Sequence, residues 1–180
     1  MKICVFGAAS NDINQIYIDA SEKLGREMAK RGHTLVYGAG ATGLMGGVSR
    51  GVHEKGGKII GVAPKYFDTP GILYKGCDEL IFTDTIRERK QIMEDSSDAF
   101  VMTPGGIGTY EEFFEILTLA NLGRHSKPIA ILNVEGYYNW VEDLMDNSVR
   151  EGFVSKNVYG TFNVFTDETE LLNFLENNVK

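Results

Sequence analysis

The sequence predicts an α/β protein with a doubly wound parallel sheet in one domain, and three observations predict it. Short runs such as Ile3-Cys4-Val5-Phe6, Ala99-Phe100-Val101-Met102 and Ile129-Ala130-Ile131-Leu132 are apolar throughout. A strand with one wet face alternates, so uninterrupted runs mark strands covered on both sides. These runs alternate with stretches of helical period, the order that builds a parallel sheet. Glycine-rich turns follow two of the strands, at Gly38 to Gly43 and at Gly105 to Gly108. Together they describe a Rossmann-like architecture, in which ligands bind at the carboxyl ends of the strands.

The elements follow in order. Ile3 to Phe6 reads as a strand ending at Gly7, and Ile16 to Arg31 as a helix stopped by Gly32. Leu35 to Tyr37 is a second strand, followed by a glycine turn and a helix from about Gly43 to Lys55. Ile59 to Val62 is the third strand. The stretch from Ala63 to Asp78 holds Pro64, Pro70, Gly71 and Gly76, and reads as a loop or flap over the strand ends. Leu80-Ile81-Phe82 begins a shorter fourth strand. Thr85 to Ser96 is a helix whose Thr85 and Glu88 have capping-box spacing. After the strand at Ala99 to Met102 come a helix from Thr109 to Leu122 and a strand at Ile129 to Leu132. Tyr137 to Val149 and Glu168 to Asn178 read as the last helices, with a weaker strand near Phe162 to Phe165 between them.

Composition narrows the function. A chain of 180 residues with no shift in composition is one domain, residues 1–180, large enough for a real core. A net charge of −7 argues against binding nucleic acid polymers or anionic membranes, so an anionic ligand must be held by a local site. No signal peptide or membrane-spanning apolar run is legible, which sets the expectation of a cytoplasmic protein. Cys4 and Cys77 are isolated and read as reduced structural thiols. His33, His53 and His125 lack metal-ligand spacing, and no Ser-His-Asp set is visible.

The most informative stretch is Pro104-Gly105-Gly106-Ile107-Gly108-Thr109-Tyr110-Glu111-Glu112. A strand feeding a glycine turn that opens a helix leaves backbone N–H groups free, with the positive end of the helix dipole behind them. That is a phosphate site. Two carboxylates one turn inside the helix are unsuited to holding phosphate and suggest chemistry beside it. Two readings of Glu112 stand at this level. Thr109 and Glu112 have capping-box spacing; equally, Glu112 lies at the rim of the stripe Phe113, Ile116, Leu117, Ala120, partly desolvated and suited to catalysis. Glu115 reads as a solvated helix charge.

Arg87-Glu88-Arg89-Lys90 is the densest positive cluster in an acidic chain. Cations in the first turns of a helix are disfavoured by the dipole, so they form either a solvated face or an anion-binding group. Ser10, after the first strand, is placed to donate to a ligand or to cap a turn. Gly38-Ala39-Gly40-Ala41-Thr42-Gly43 spells a dinucleotide fingerprint, but the next strand ends Val62-Ala63-Pro64-Lys65 with no carboxylate for a ribose. Its glycines either pack strand against helix or, with Gly46 and Gly47, admit a smaller ligand to the backbone.

On these residues the chain resembles the LONELY GUY family of nucleoside 5′-monophosphate phosphoribohydrolases, which also carries a lysine decarboxylase label. The resemblance covers nearly the whole chain. It rests on the stretch from Pro104 to Glu112, on Glu88-Arg89-Lys90, and on Tyr37 to Gly40 through Gly43 to Gly46. It implies that Arg89 and Glu112 are catalytic and that Gly105, Gly106, Ile107, Gly108 and Thr109 cradle a 5′-phosphate. It further implies that Glu79, Lys90, Glu111 and Thr118 contact ligand. By their place after strands, Ser10, Gly43 and Gly46 fall at the same crevice. Two departures are Gly7-Ala8-Ala9-Ser10 after the first strand and Arg87 before Glu88, where relatives often carry Cys-Gly-Ser-Ser and His. A decarboxylase would need a Schiff-base lysine and a partner for a pyridine nitrogen, and no motif supplies them. The resemblance implies a homodimer, no cofactor, and cleavage of an N-glycosidic bond. The alternative is a non-catalytic nucleotide- or molybdenum-cofactor-binding carrier of the same fold. Whether the base is adenine or an N6-prenylated cytokinin is not legible.

Overall fold

The computed structural model describes residues 1–179. In chain order the elements are β1 (Lys2–Phe6), α1 (Gln15–Lys30), β2 (Thr34–Tyr37), α2 (Gly43–Glu54) and β3 (Ile59–Pro64). There follow β4 (Glu79–Thr83), α3 (Ile86–Asp95), β5 (Ala99–Met102) and α4 (Ile107–Asn121). The chain closes with β6 (Ile129–Leu132), α5 (Asn139–Arg150), β7 (Phe162–Phe165) and α6 (Glu168–Asn178). Every helix and strand expected from the pattern is present, with ends displaced by a few residues.

All seven strands join one parallel sheet in the order β4-β3-β2-β1-β5-β6-β7. Successive side chains of a strand point to opposite faces, and β1 displays the rule. Cys4 and Phe6 pack with Met93 of α3, Phe113 and Leu117 of α4, and Val141 of α5. Ile3 and Val5 pack on the other face with Leu24 of α1, Val52 of α2 and Leu171 of α6. A core on each side explains the absence of polar alternation in the strands. No helix among the described residues is long and apolar enough to cross a membrane.

The chain starts at the middle of the sheet, winds outward through β2, β3 and β4, then returns to the far side of β1 as β5. The loops after β1 and β5 therefore diverge at a switch point, where Ala8 N–H donates to the Pro104 carbonyl at 3.2 Å. Crevices form at such points. Two starts of helices show how local signals fare here. Thr85 and Glu88 make the expected reciprocal capping box on α3, with Glu88 N–H to Thr85 Oγ1 and Thr85 N–H to Glu88 Oε2 both at 3.1 Å. Helix α4 starts at Ile107 with Gly106 as its N-cap, two residues before the expected Thr109. The capping-box reading of Thr109 and Glu112 is thereby corrected: Thr109 lies inside the helix, and the Glu112 side chain turns to Arg89.

Candidate active site

A cleft of about 750 Å³ runs across the carboxyl ends of the strands. Its lining comes from the loops after β1, β2, β3 and β5, together with the starts of α3 and α4. It contains Ser10, Gly106, Ile107, Gly108, Thr109, Arg89 and Glu112 of the sequence-derived set.

At one end of the cleft, the start of α4 is chemically open. The ladder begins with Tyr110 N–H to the Gly106 carbonyl at 2.9 Å. The amides of Ile107, Gly108 and Thr109 find no acceptor among the described residues, and no side chain caps this end. Three unpaired donors at the positive pole of a 15-residue helix make a place for an anion. A β-carbon on Gly106 or Gly108 would meet nothing within 4 Å. The turn is braced from behind: Tyr137 donates its hydroxyl to the Gly105 carbonyl at 2.8 Å, and Tyr110 Oη lies 2.9 Å from Tyr137 Oη. Tyr138 donates to the Thr103 carbonyl at 2.8 Å.

Beside the cradle lies a buried ion pair. Arg89 Nη1 donates to Glu112 Oε1 at 2.7 Å, and the side chains are only 9% and 11% exposed. Arg89 Nε donates to the Val62 carbonyl at 3.1 Å, and a β-carbon on Gly38 would collide with Nη2. The first glycine of the dinucleotide-like fingerprint thus makes room for an arginine. Burial pushes the Glu112 carboxyl above the usual range, against the charge and hydrogen bond of Arg89, which pull it down. Oε2 of Glu112 accepts no hydrogen bond from the described residues, and the residue lines the cleft. An acid with one oxygen anchored and one free can act on a bound ligand.

The other sequence-derived residues distribute as follows. Lys90, next to Arg89, does not line the cleft and pairs with Glu111, and with Glu115 at 2.7 Å. Glu115 is an exposed helix charge, as expected, and it also pairs with Lys90. Burial pulls the Lys90 ammonium down, but the hydrogen bonds it donates to Glu111 and Glu115 outweigh that and leave it raised. Glu79 opens the edge strand β4, at the opposite end from the cleft, and Thr118 lies in the last turns of α4; neither lines the cleft. Gly43 and Gly46 sit behind its wall, packed on the carbonyls of Ser10 and Ala41. Gly105 packs on Thr109 at the base of the cradle. Unanticipated cleft residues are Met45, Tyr66, Phe67, Ile72 and Ile86. For Tyr66, Phe67 and Ile72 the sequence signal was the flap itself, with two adjacent aromatics just past a strand end; Met45 and Ile86 lie in α2 and α3 and had no such signal.

Fold and site define a class: a Rossmann-like protein with an anion cradle at its switch point and a buried arginine–carboxylate pair alongside. Residues 45–175 match the family model described as "Possible lysine decarboxylase". A protein of Oryza sativa subsp. japonica named "Probable cytokinin riboside 5'-monophosphate phosphoribohydrolase" is 44% identical over 154 residues, which are 86% of this chain and 73% of that one. A cytokinin riboside 5′-monophosphate phosphoribohydrolase of Arabidopsis thaliana is 39% identical over 175 residues, 97% of this chain and 77% of that one. The chain belongs to this LONELY GUY family. Among solved structures, the molybdenum cofactor binding protein of Rippkaea orientalis has a TM-score of 0.76 over 99% of this chain and 97% of its own. Its identity is 20%, so that likeness is one of fold.

Proposed function

We propose that this protein hydrolyses the N-glycosidic bond of a nucleoside 5′-monophosphate, releasing the free base and ribose 5-phosphate. The relatives named as cytokinin riboside 5′-monophosphate phosphoribohydrolases support the reaction class. One observation carries the assignment of residues. The free amides of α4 and the Glu112 carboxylate lie on one helix about a turn apart and open into one cleft. A ligand with its phosphate on Ile107, Gly108 and Thr109 would bring its sugar to Glu112.

Cleavage of this bond passes through an oxocarbenium-like state, so a fixed negative charge near the anomeric carbon lowers the barrier. Glu112 supplies that charge and accepts hydrogen bonds from sugar hydroxyls or the attacking water. The bond from C1′ to the base nitrogen breaks, its electron pair leaving with the base, which gains a proton. Water oxygen bonds to C1′ and surrenders a proton, so one water is consumed. Arg89 orients Glu112 and balances its charge. The cradle contributes binding energy remote from the reacting bond, which orients the sugar.

The carrier alternative rests on fold likeness at 20–25% identity and is not favoured over the phosphoribohydrolases at about 40%. The proposal includes a cytoplasmic homodimer, as the family resemblance implies; light scattering in solution checks the oligomer. Incubation with AMP and with N6-substituted analogues, followed by chromatography for free base, tests the reaction. Release of base from the monophosphate and little from the nucleoside is the expected result. Equal turnover of AMP and adenosine would remove the cradle from the mechanism.

A further inference from the structure

We infer that Tyr66 and Phe67 form the platform on which the base of the nucleotide stacks, and that they set its selectivity. This rests on the proposed reaction, because it starts from a phosphate on α4 and a sugar at Glu112. From those points the base can extend only along the rest of the cleft, toward the ends of β2 and β3. The side chains that remain there are Met45, Tyr66, Phe67, Ile72, Leu73 and Ile86, with the hydroxyls of Thr42 and Thr69 beside them. None is charged and most are apolar, so surface contact supplies most of the hold on the base.

Tyr66 and Phe67 sit on a single 3₁₀ turn, Lys65–Phe67, directly beyond Pro64. Their rings are edge to face with centroids 5.0 Å apart, which holds each in place before ligand arrives. Yet they are 59% and 38% exposed. Scattered exposed apolar residues need no explanation, but these are not scattered. Among the described residues, thirteen large apolar side chains are exposed, and five of them, Tyr66, Phe67, Ile72, Ile86 and Ile107, line this one cleft. A flat heteroaromatic ring covers such a surface, and an apolar substituent on it would bury further area against Ile72 and Leu73. The turn is anchored by Asp68 N–H to the Lys65 carbonyl at 3.0 Å, and Ile72 by Ala41 N–H to its carbonyl at 2.9 Å. The platform is therefore a fixed wall.

The experiment compares wild type with Tyr66→Ala, Phe67→Ala and the conservative Tyr66→Phe. Base release from AMP and an N6-alkylated AMP is measured, with ribose 5-phosphate as competitive inhibitor. Loss of one stacking surface raises KM for the nucleotides about tenfold or more, leaves the inhibition constant of ribose 5-phosphate within twofold, and is reversed in Tyr66→Phe. Unchanged KM in both alanine variants overturns the platform. So does an equal loss of affinity for nucleotide and ribose 5-phosphate, which would mean a collapsed flap. If wild type releases no base at all, the reaction falls and the platform is read by calorimetry. AMP affinity, but not ribose 5-phosphate affinity, then drops in the alanine variants if it stands and is retained if it does not.

Discussion

Two glycine turns in this molecule look alike in sequence and do opposite things. Both follow an interior strand and open a helix. At α2, Gly43 N–H donates to Asn11 Oδ1 at 2.9 Å, while Leu44 and Met45 N–H both reach the Ala8 carbonyl, at 2.9 and 3.2 Å. Its donors are consumed by the loop after β1. At α4 the corresponding amides of Ile107, Gly108 and Thr109 have no acceptor among the described residues. The dinucleotide-like spelling at Gly38 to Gly43 therefore builds the wall of the site, and Gly105 to Gly108 builds its anion cradle. Which amides are left unpaired decides the matter, and glycine count does not.

The largest expected effect comes from the charge beside the open turn. Glu112→Gln keeps the shape and a hydrogen-bond acceptor for Arg89 but removes the negative charge facing the sugar. Base release should fall about a thousandfold, with the KM for nucleotide changed far less. Single-turnover measurement of base release, with circular dichroism to verify the fold, checks this. Retained activity would return Glu112 to a purely structural pairing with Arg89.

Next, the two turns should answer oppositely to the same substitution. Gly43 has φ +58°, and a β-carbon there would lie 2.5 Å from the Ser10 carbonyl oxygen and 2.6 Å from that of Ala8. Gly43→Ala should destabilise the fold by about 1–3 kcal/mol, a fall of several degrees in Tm, with KM of the remaining folded protein little changed. Gly108→Ala faces open space inside a helix, where alanine is the better residue. It should hold or raise Tm while placing a methyl at the anion site, raising the KM for nucleotide about tenfold. Thermal melts and steady-state kinetics on the two variants separate the cases. Loss of stability at 108 with unchanged KM would erase the distinction.

How far this contrast could be seen beforehand depends on which interactions are local. The fold was legible because burial on two faces writes itself into each strand, as in Ile3 to Phe6. The Thr85–Glu88 capping box was legible because both partners lie within one turn. The identical spacing at Thr109 and Glu112 misled because Gly106 starts α4 earlier and Arg89, 23 residues upstream, takes the carboxylate. Lys90 and Glu115 were likewise separate surface charges until α3 and α4 packed side by side. Tyr66, Phe67 and Tyr137 left little trace, since a flap and a helix approach have no period to betray them. Their function comes from the strand ends they overhang.

A smaller, continuous effect should appear in the pH dependence. Burial raises the Glu112 carboxyl, with Arg89 opposing. If the carboxylate form is required, activity is full above that raised value and declines as pH falls through it. The acid limb of kcat/KM should accordingly lie at higher pH than an ordinary glutamate would give. Arg89→Gln removes the opposing charge, so in its residual activity the limb should move higher still. A limb at the ordinary glutamate position, unmoved in Arg89→Gln, would assign it to another group.

The smallest effect tests why the cradle stays open. The peptide between Gly105 and Gly106 is flanked by two residues without side chains, so its rotation meets little steric resistance. Reversed, it would aim a carbonyl oxygen toward a bound phosphate. Tyr137 opposes that by donating to the Gly105 carbonyl at 2.8 Å from outside the cleft. Tyr137→Phe removes one hydrogen bond and leaves the ring, which packs edge to face on Tyr17 at 5.7 Å and on Tyr138 at 4.9 Å. A net loss of about 0.5–1.5 kcal/mol in holding that peptide would show as a few-fold rise in KM for the monophosphate. The nucleoside, which makes no demand on the cradle, should be turned over as slowly as before. A matching loss on both substrates would mean that Tyr137 supports the cleft as a whole, whereas a loss confined to the monophosphate would mean that it sets which way the Gly105 carbonyl points.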